Sequence, residues 1–391
     1  IIDGKKWSNK SKFTIINYDI LRNFHTTDAV AEKAGDGYLN RDIINANYDL
    51  LICDEAHSLQ THTSVRSQVV SEIVLKYSNP KIWLLSGTPV TNRPINLFNL
   101  LKLIKSPLAD NWKYYVTRYC DAKRFYKVIR GKKSQIWVTD GATNLEELNI
   151  KLKNILIRRL KKDCLDLPEK MIIPMYYKLS DSERAEYDML WDNYLIKRKQ
   201  QKKKGVVERE FIELVLMRKF IAMKMIPNSI ELAETALLNG EKIIIFTNFT
   251  EELNTLAEHF GKLCVVHNGE MSDKQKQKSV DEFQNNDKIR IFIGNIRSAG
   301  TGITLTKSTT TIFNSYEWVP GLNAQSEDRS HRIGVKDNVN IYYQLFLDTV
   351  SVRMWNVLNT KAKNISIVVG DTKGEIEVLD TLMNDLIDSD E

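Results

Sequence analysis

The chain has 391 residues, 42% hydrophobic and 27% charged, with a formal net charge of +6. These are the numbers of an ordinary soluble protein of two or more domains with ample core, basic enough to suit a polyanionic partner without requiring one. No apolar run is long enough to span a bilayer and no secretory signal is visible. Cys53, Cys120, Cys164 and Cys264 form no C-x-x-C pair, which points away from membranes and zinc and towards an intracellular, reducing compartment.

Residues 1–165 alternate strand-like and helix-like segments. Lys12–Tyr18, Tyr48–Cys53 and Lys81–Leu85 read as strands, and such continuous apolar runs suit parallel strands buried on both faces. Ser64–Tyr77 has helical spacing, with Val65, Val69, Ile73 and Leu75 as its apolar positions. Residues 166–240 differ. An extended piece from Leu167 to Leu179 precedes Ser180-Asp181-Ser182-Glu183, a helix-start pattern, and the stretch to Gly240 is mainly helical. Its basic run, Lys197–Gly205, reads as a solvated loop in preference to a phosphate-contact patch. Residues 241–370 alternate again, with strands at Lys242–Phe246, Val265–His267, Ile289–Ile293, Thr310–Asn314 and Val339–Tyr343 and helices at Glu251–Phe260 and Ser272–Phe283. The expected class is α/β: a doubly wound parallel-sheet lobe over 1–165, a linker and helical insertion over 166–240, a second such lobe over 241–370 and an acidic tail over 371–391.

Four stretches carry chemistry. Asp54-Glu55-Ala56-His57 follows an apolar strand, at the edge where open α/β sheets bind ligands. An aspartate there can hold magnesium through water and a neighbouring glutamate can activate the attacking water; a polar cap on an ordinary strand reads equally well. Ser86-Gly87-Thr88-Pro89 again follows a strand, and its hydroxyls have three readings: bonds to the second lobe, bonds to the acids of the first stretch, or a simple turn. Gly294–Thr306 offers Gly300 and Gly302 for close approach of backbone to phosphate, with Arg297, Ser298, Thr301 and Thr304 as donors. In Gln325–Gly334, Arg329 and Arg332 share one face if the segment is helical, and two guanidiniums there can clamp a γ-phosphate.

The order of these stretches, with Ile243–Phe249 between them, resembles that of superfamily-two helicases, and in detail the Swi/Snf-type ATPases. Ser86–Asn92 is similar to their G-T-P-hydrophobic-x-N, Ile157–Asp163 with Leu167–Lys170 to their R-R-x-K-x-D-V…L-P-x-K, and Trp318-Val319-Pro320 to their W-N-P. Arg118–Lys123, Asn144–Leu148 and Pro320-Gly321 are similar to the annealing-helicase branch, a pattern shared by viral and phage relatives. The resemblance implies two RecA-like lobes acting on ATP, Mg2+ and double-stranded or branched DNA. It implies Asp54 for magnesium and Glu55 for the hydrolytic water, with Arg329 and Arg332 as finger residues. Gln325, Gly302 and His57 would lie at the nucleotide, and Thr88, Asn92, Thr247, Asn248, Ser298 and Trp318 along DNA, with packing an equal reading for Trp318.

These motors need G-x-x-x-x-G-K-[ST], and none occurs. Only 53 residues precede Asp54 and the first residue is isoleucine, so the expectation is an incomplete first lobe, poor ATP binding by the chain alone, and a P-loop supplied upstream or by a separate polypeptide. Val335 stands where the family has glutamine, and Thr301 where a second glycine is common. A non-catalytic nucleic-acid module and a strand-separating DNA or RNA helicase are the alternative readings.

Overall fold

The computed structural model describes residues 12–18, 48–76, 81–129, 132–204, 208–300 and 302–370; the expected acidic tail, Gly205 and Thr301 lie outside them. Compactness divides the chain into two units: 1–156 with 364–370, and 157–363 with 371–391. The division falls after Leu156, inside the span read as the first lobe.

In the first unit, β1 (Leu50–Cys53) and β2 (Lys81–Leu84) pair in parallel, Leu50 opposite Lys81 and Cys53 opposite Leu84. Helix α1 (Val65–Lys76) packs on them through Val69, Val70, Ile73 and Val74. Leu75, expected in that stripe, is 76% exposed, because it falls off the four-residue spacing that Val65, Val69 and Ile73 keep. Burial of the strands on both faces does not hold either: Ile52 and Trp83, opposite one another in the ladder, are 51% and 57% exposed. Lys12–Tyr18 forms no strand. Its side chains alternate, Ile16 and Tyr18 packing on the β1–α1 core while Phe13 and Ile15 face out, but it joins no ladder among the described residues.

A second core of this unit gathers α2 (Ile95–Leu103), α3 (Trp112–Tyr119) and α4 (Leu145–Leu152). Between α3 and α4 runs a separate antiparallel hairpin, β3 (Lys123–Ile129) and β4 (Lys132–Val138). Two segments that mark the annealing-helicase resemblance meet here. Arg118 and Lys151 both pair with Glu147, and the Tyr119 hydroxyl donates to the same carboxylate at 2.9 Å. These cations and the hydroxyl hold the Glu147 carboxyl at about 2.

The second unit is a six-stranded, wholly parallel sheet, order β5–β10–β9–β6–β8–β7, from β5 (Lys170–Tyr177), β6 (Ile243–Thr247), β7 (Cys264–His267), β8 (Ile291–Asn295), β9 (Thr310–Phe313) and β10 (Val339–Phe346). The extended piece after Leu167 is thus an edge strand, a position where Pro174 costs no ladder hydrogen bond. Alternation along β6 explains the double winding. Ile243 and Ile245 face α6 (Glu208–Leu238) and α7 (Thr250–Phe260). Ile244 and Phe246 face α8 (Asp273–Asn285) and the first half of α10 (Val350–Val369). The helix-start pattern at Ser180 is realised: the Glu183 carboxylate accepts the Ser180 N–H at 3.0 Å at the head of α5 (Asp181–Lys204). That helix runs through Lys204, so the basic run from Lys197 is helical rather than a loop. Among the described residues no helix is long and apolar enough to cross a membrane, and all four cysteines are free thiols.

Candidate functional site

In the first unit the parallel ladder continues one step past both strands. Leu85 N–H donates to Cys53 C=O at 2.9 Å and Ala56 N–H to Leu85 C=O at 2.8 Å, which fixes the Asp54–His57 corner on the end of β2. The corner turns sharply because Glu55 takes left-handed backbone, φ 45° and ψ 49°, and opens a short 3-10 turn over Ala56–Leu59. A non-glycine residue there costs on the order of 1 kcal/mol, and such strain collects at functional sites. Three features sustain it: complete burial of Ala56 and Leu59, the Glu55 N–H donated to Asp54 Oδ1 at 2.9 Å, and the Tyr18 hydroxyl donated to Asp54 C=O at 2.8 Å. The result is two adjacent carboxylates held outward, both exposed. Half-buried His57 turns back so that Nδ1 lies 3.1 Å from Glu55 Oε2. Burial raises the Cys53 thiol to about 11, so the residue before Asp54 is inert.

The second stretch is bonded to the first. Thr91 Oγ1 donates to Gln60 Oε1 at 2.6 Å, and Gln60 Nε2 donates to Pro89 C=O at 2.9 Å. Of the three readings for the Ser86 hydroxyl, the local turn is realised: it accepts the Thr88 N–H at 3.1 Å. Thr88 is half-buried. Asn92 donates its N–H to Asn96 Oδ1 at 3.2 Å, while its own Oδ1 is buried with no partner among the described residues. No group of three or more His, Cys, Asp or Glu side chains gathers as a metal site among the described residues. Magnesium needs none, since it keeps several waters and takes one or two carboxylates plus phosphate oxygens, and the exposed Asp54 carboxylate fits that demand.

In the second unit, Arg329 and Arg332 meet. Arg329 Nη1 and Arg332 Nη1 both donate to Ile303 C=O, at 3.1 and 3.0 Å; Arg332 also reaches Thr304 Oγ1 at 3.1 Å and Arg329 Nε reaches Gln325 C=O at 2.9 Å. The expected shared helical face is not the cause. Helix α9 (Pro320–Glu327) has ended, and a turn brings the two guanidiniums to one carbonyl. That carbonyl directly follows Gly302. A Cβ at Gly300 would meet Ile296 C=O at 2.5 Å, so packing demands that glycine, whereas Gly302 has open space around it and is favoured by its φ of +75°. Gln325 is buried in α9, 7% exposed.

What holds the arginine loop lies some 160 residues earlier. Lys161 Nζ pairs with Asp328 at 2.6 Å and donates to His331 C=O at 3.2 Å. His331 Nε2 lies 2.8 Å from Pro168 C=O. Lys170 pairs at 3.0 Å with the buried Glu327, which also accepts the Tyr343 hydroxyl at 2.7 Å. The sequence displays Lys161 and Lys170 only as motif letters; nothing in it announces their partners.

The residues expected along DNA divide. Thr247 is completely buried, with its hydroxyl 3.4 Å from Gly294 C=O, and offers no surface to a strand. Asn248 is half-buried and braced: its side chain donates to Tyr316 C=O at 2.7 Å and its N–H to Glu252 and Ser315. Ser298 Oγ is buried with no partner among the described residues. Trp318 packs at the edge of the sheet core with the Arg218 guanidinium 4.6 Å above its ring, the packing reading. Arg218 and Glu252 escape sequence reasoning. Glu252, 0% exposed, accepts from Asn248 N–H, Phe249 N–H, the Ser315 hydroxyl and the Asn314 amide, and so ties the loop after β6 to the loop after β9. Burial outweighs those donors and raises its carboxyl.

The carboxylate corner and the arginine pair thus fall in different units, each internally braced. Residues 3–226 match the SNF2-related domain, and residues 227–334 the helicase conserved C-terminal domain. The chain is 31% identical over 363 residues to the DNA annealing helicase and endonuclease ZRANB3 of Bos taurus, covering 90% of this chain and 32% of that protein. It is 31% identical over 336 residues to the SWI/SNF-related matrix-associated actin-dependent regulator of chromatin subfamily A-like protein 1 homolog of Caenorhabditis elegans, covering 83% of this chain and 46% of the relative. It therefore spans 32% to 46% of the length of these curated relatives. Among solved structures, the Sulfolobus solfataricus SWI2/SNF2 ATPase core in complex with dsDNA aligns with a TM-score of 0.43 at 21% identity, over 90% of this chain and 72% of that one. With the SNF2-related match covering more than half of its residues, the chain belongs to the SNF2 family of helicase-type proteins.

Proposed function

We propose that the chain forms part of an ATP-dependent double-stranded DNA translocase of the annealing-helicase type, working in DNA repair or remodelling in a reducing compartment. The observation that carries this is the pair of guanidiniums converging on Ile303 C=O in a chain that also carries the exposed Asp54-Glu55 corner and matches the SNF2-related domain. In this reading residues 1–165 and 241–370 act as the two ATPase lobes, joined by the linker and helices of 166–240. ATP with Mg2+ supplies the phosphoanhydride whose cleavage drives movement. Asp54 holds the metal's water shell, Glu55 orients and deprotonates the attacking water, and Arg329 and Arg332 hold negative charge on phosphate oxygens. Gln325, Gly302 and His57 border the nucleotide; Thr88, Asn92, Asn248 and Ser298 border the DNA.

The 391 residues contain no G-x-x-x-x-G-K-[ST] loop. The reading takes that loop from further chain or from a separate polypeptide, so the test must supply it. Phosphate release is measured with the chain joined to the P-loop segment of a SNF2 relative, with and without duplex and forked DNA. Duplex-stimulated hydrolysis that is lost in Glu55→Gln and in Arg332→Ala is the expected result. Hydrolysis absent with every P-loop partner, or indifferent to both substitutions, overturns the reading.

A further inference from the structure

Residues 161–170 are bonded along the turn that carries the two arginines. Lys161 Nζ meets Asp328 Oδ1 at 2.6 Å and donates to His331 C=O at 3.2 Å. Pro168 C=O lies 2.8 Å from His331 Nε2, and Lys170 Nζ lies 3.0 Å from Glu327 Oε2. The two lysines are not alike. Lys170 serves a buried acid that also accepts from the Tyr343 hydroxyl. Lys161 and Asp328 are 41% and 36% exposed, and an ion pair that open to water adds little to the stability of a fold. Its placement is what sets it apart.

Helix α9 stops at Glu327, and Asp328 caps its carboxyl end. Asp328 directly precedes Arg329, and His331 directly precedes Arg332. The Lys161 ammonium therefore spans the turn, from the carboxylate before the first arginine to the carbonyl before the second. Its charge matters as much as its bonds. A carboxylate beside two guanidiniums competes with any anion for them. Arg332 is exposed and commits only Nη1 inward, to Ile303 C=O and Thr304 Oγ1, so it is the arginine most open to capture. Uncompensated, Asp328 would draw that guanidinium and lower the positive potential an incoming phosphate meets. Lys161 occupies the carboxylate instead.

We propose that Lys161 is a positioning residue for the arginine pair: it pins the turn that carries Arg329 and Arg332 and keeps the Asp328 carboxylate from competing with phosphate for Arg332. The proposal rests on the phosphate-facing reading of these arginines above, and adds the group that keeps them available.

Two readouts test it. Inorganic triphosphate binding is measured calorimetrically on the chain joined to the P-loop segment of a SNF2 relative. Hydrogen exchange at Leu305 N–H, held by Arg329 C=O at 2.9 Å, is measured on the chain itself without phosphate. Lys161→Met should weaken triphosphate binding about 5-fold or more and cut Leu305 protection about 5-fold or more. Lys161→Arg keeps the charge and can reach both acceptors, so it should hold both readouts within about 2-fold. Lys161→Met/Asp328→Asn removes the competing charge but leaves His331 C=O without its donor. It should recover most of the triphosphate affinity while Leu305 protection stays low, a split that a merely structural lysine would not produce. The triphosphate loss in Lys161→Met should also shrink between about 0.05 M and about 0.5 M salt, while the exchange loss should not. Wild-type triphosphate affinity in Lys161→Met, no recovery with Asp328→Asn, or unchanged protection at Leu305 would each overturn the proposal. An unsubstituted fusion that binds no triphosphate defeats the phosphate-facing reading of the arginines instead, and exchange at Leu305 still decides whether Lys161 holds the turn.

Discussion

Glu252 gives the sharpest test of how the second unit positions its loops. Truncation to alanine removes an acceptor used by four donors, but the donors are not equally stranded. Asn248 N–H retains Ser315 Oγ at 2.8 Å, and the Asn314 amide retains Ala222 C=O at 3.0 Å. Phe249 N–H and the Ser315 hydroxyl lose their partner. Two part-buried orphans at about 1–2 kcal/mol each, less the relief of a desolvated carboxylate, give an expected cost of about 1–3 kcal/mol. Glu252→Gln keeps an acceptor for Phe249 and should cost about 1 kcal/mol. The pH dependence has a definite sign. Burial raises the folded carboxyl above its unfolded value. Its contribution is therefore fully present below the unfolded value and lost as pH rises through the folded one, so the alanine cost should shrink as pH rises above the ordinary carboxylate range. Because the chain divides into two units, a global melt is the wrong probe. Native-state hydrogen exchange at Ile245 and Phe246 reads the local opening free energy. An alanine cost below about 0.5 kcal/mol, or one that grows with pH, would refute the reasoning.

Other consequences follow from the same geometry. Gly300→Ala pushes a Cβ to 2.5 Å from Ile296 C=O and should cost about 2 kcal/mol or more, read as lost exchange protection at Leu305, whose N–H is held by Arg329 C=O. Lys170→Met leaves Glu327 buried with only the Tyr343 hydroxyl and should cost about 2–3 kcal/mol, whereas Lys170→Met/Glu327→Leu should recover most of it. In the first unit, Glu147, held at about 2 by Arg118, Lys151 and Tyr119, should stay ionised at pH 4. A lowered carboxyl contributes stability above its unfolded value and loses it as pH falls through about 2, so carboxyl NMR should show no titration between pH 4 and pH 3.

The fold was more legible than the bonding that holds the site. Runs such as Ile243–Phe246 announce a buried parallel strand, because both faces of the sheet are covered and every side chain must be apolar. Lys12–Tyr18 carries a comparable pattern, but a strand exists only by its ladder, and ladders join residues far apart in sequence. The same distance hid the braces: Lys161 meets Asp328, Lys170 meets Glu327, and Glu252 meets Asn314 and Ser315 across folds of the chain that no local pattern encodes. Thr247 failed as a surface residue for a physical reason. It ends β6, where alternation and the covering helices bury it, and its hydroxyl finds Gly294 C=O within the sheet.

The arginine pair also separates into two roles once its donors are counted. A guanidinium has five N–H groups in a fixed fork. Arg329 is half-buried and commits Nε to Gln325 C=O and Nη1 to Ile303 C=O, which fastens the end of α9 to the glycine loop. Arg332 is exposed and directs only Nη1 inward, to Ile303 C=O and Thr304 Oγ1. Lysine keeps the charge but cannot span two acceptors in that geometry. Arg329→Lys should therefore open the loop, losing about 1–2 kcal/mol of protection at Leu305 with phosphate affinity falling as a consequence. Arg332→Lys should leave that protection within about 0.5 kcal/mol while weakening inorganic triphosphate binding, measured calorimetrically on the chain joined to the P-loop segment of a SNF2 relative, by about 5-fold or more. If both variants lose protection equally while triphosphate binding stays at the wild-type level, the two arginines are braces alone, and the phosphate-facing role assigned to Arg332 is wrong.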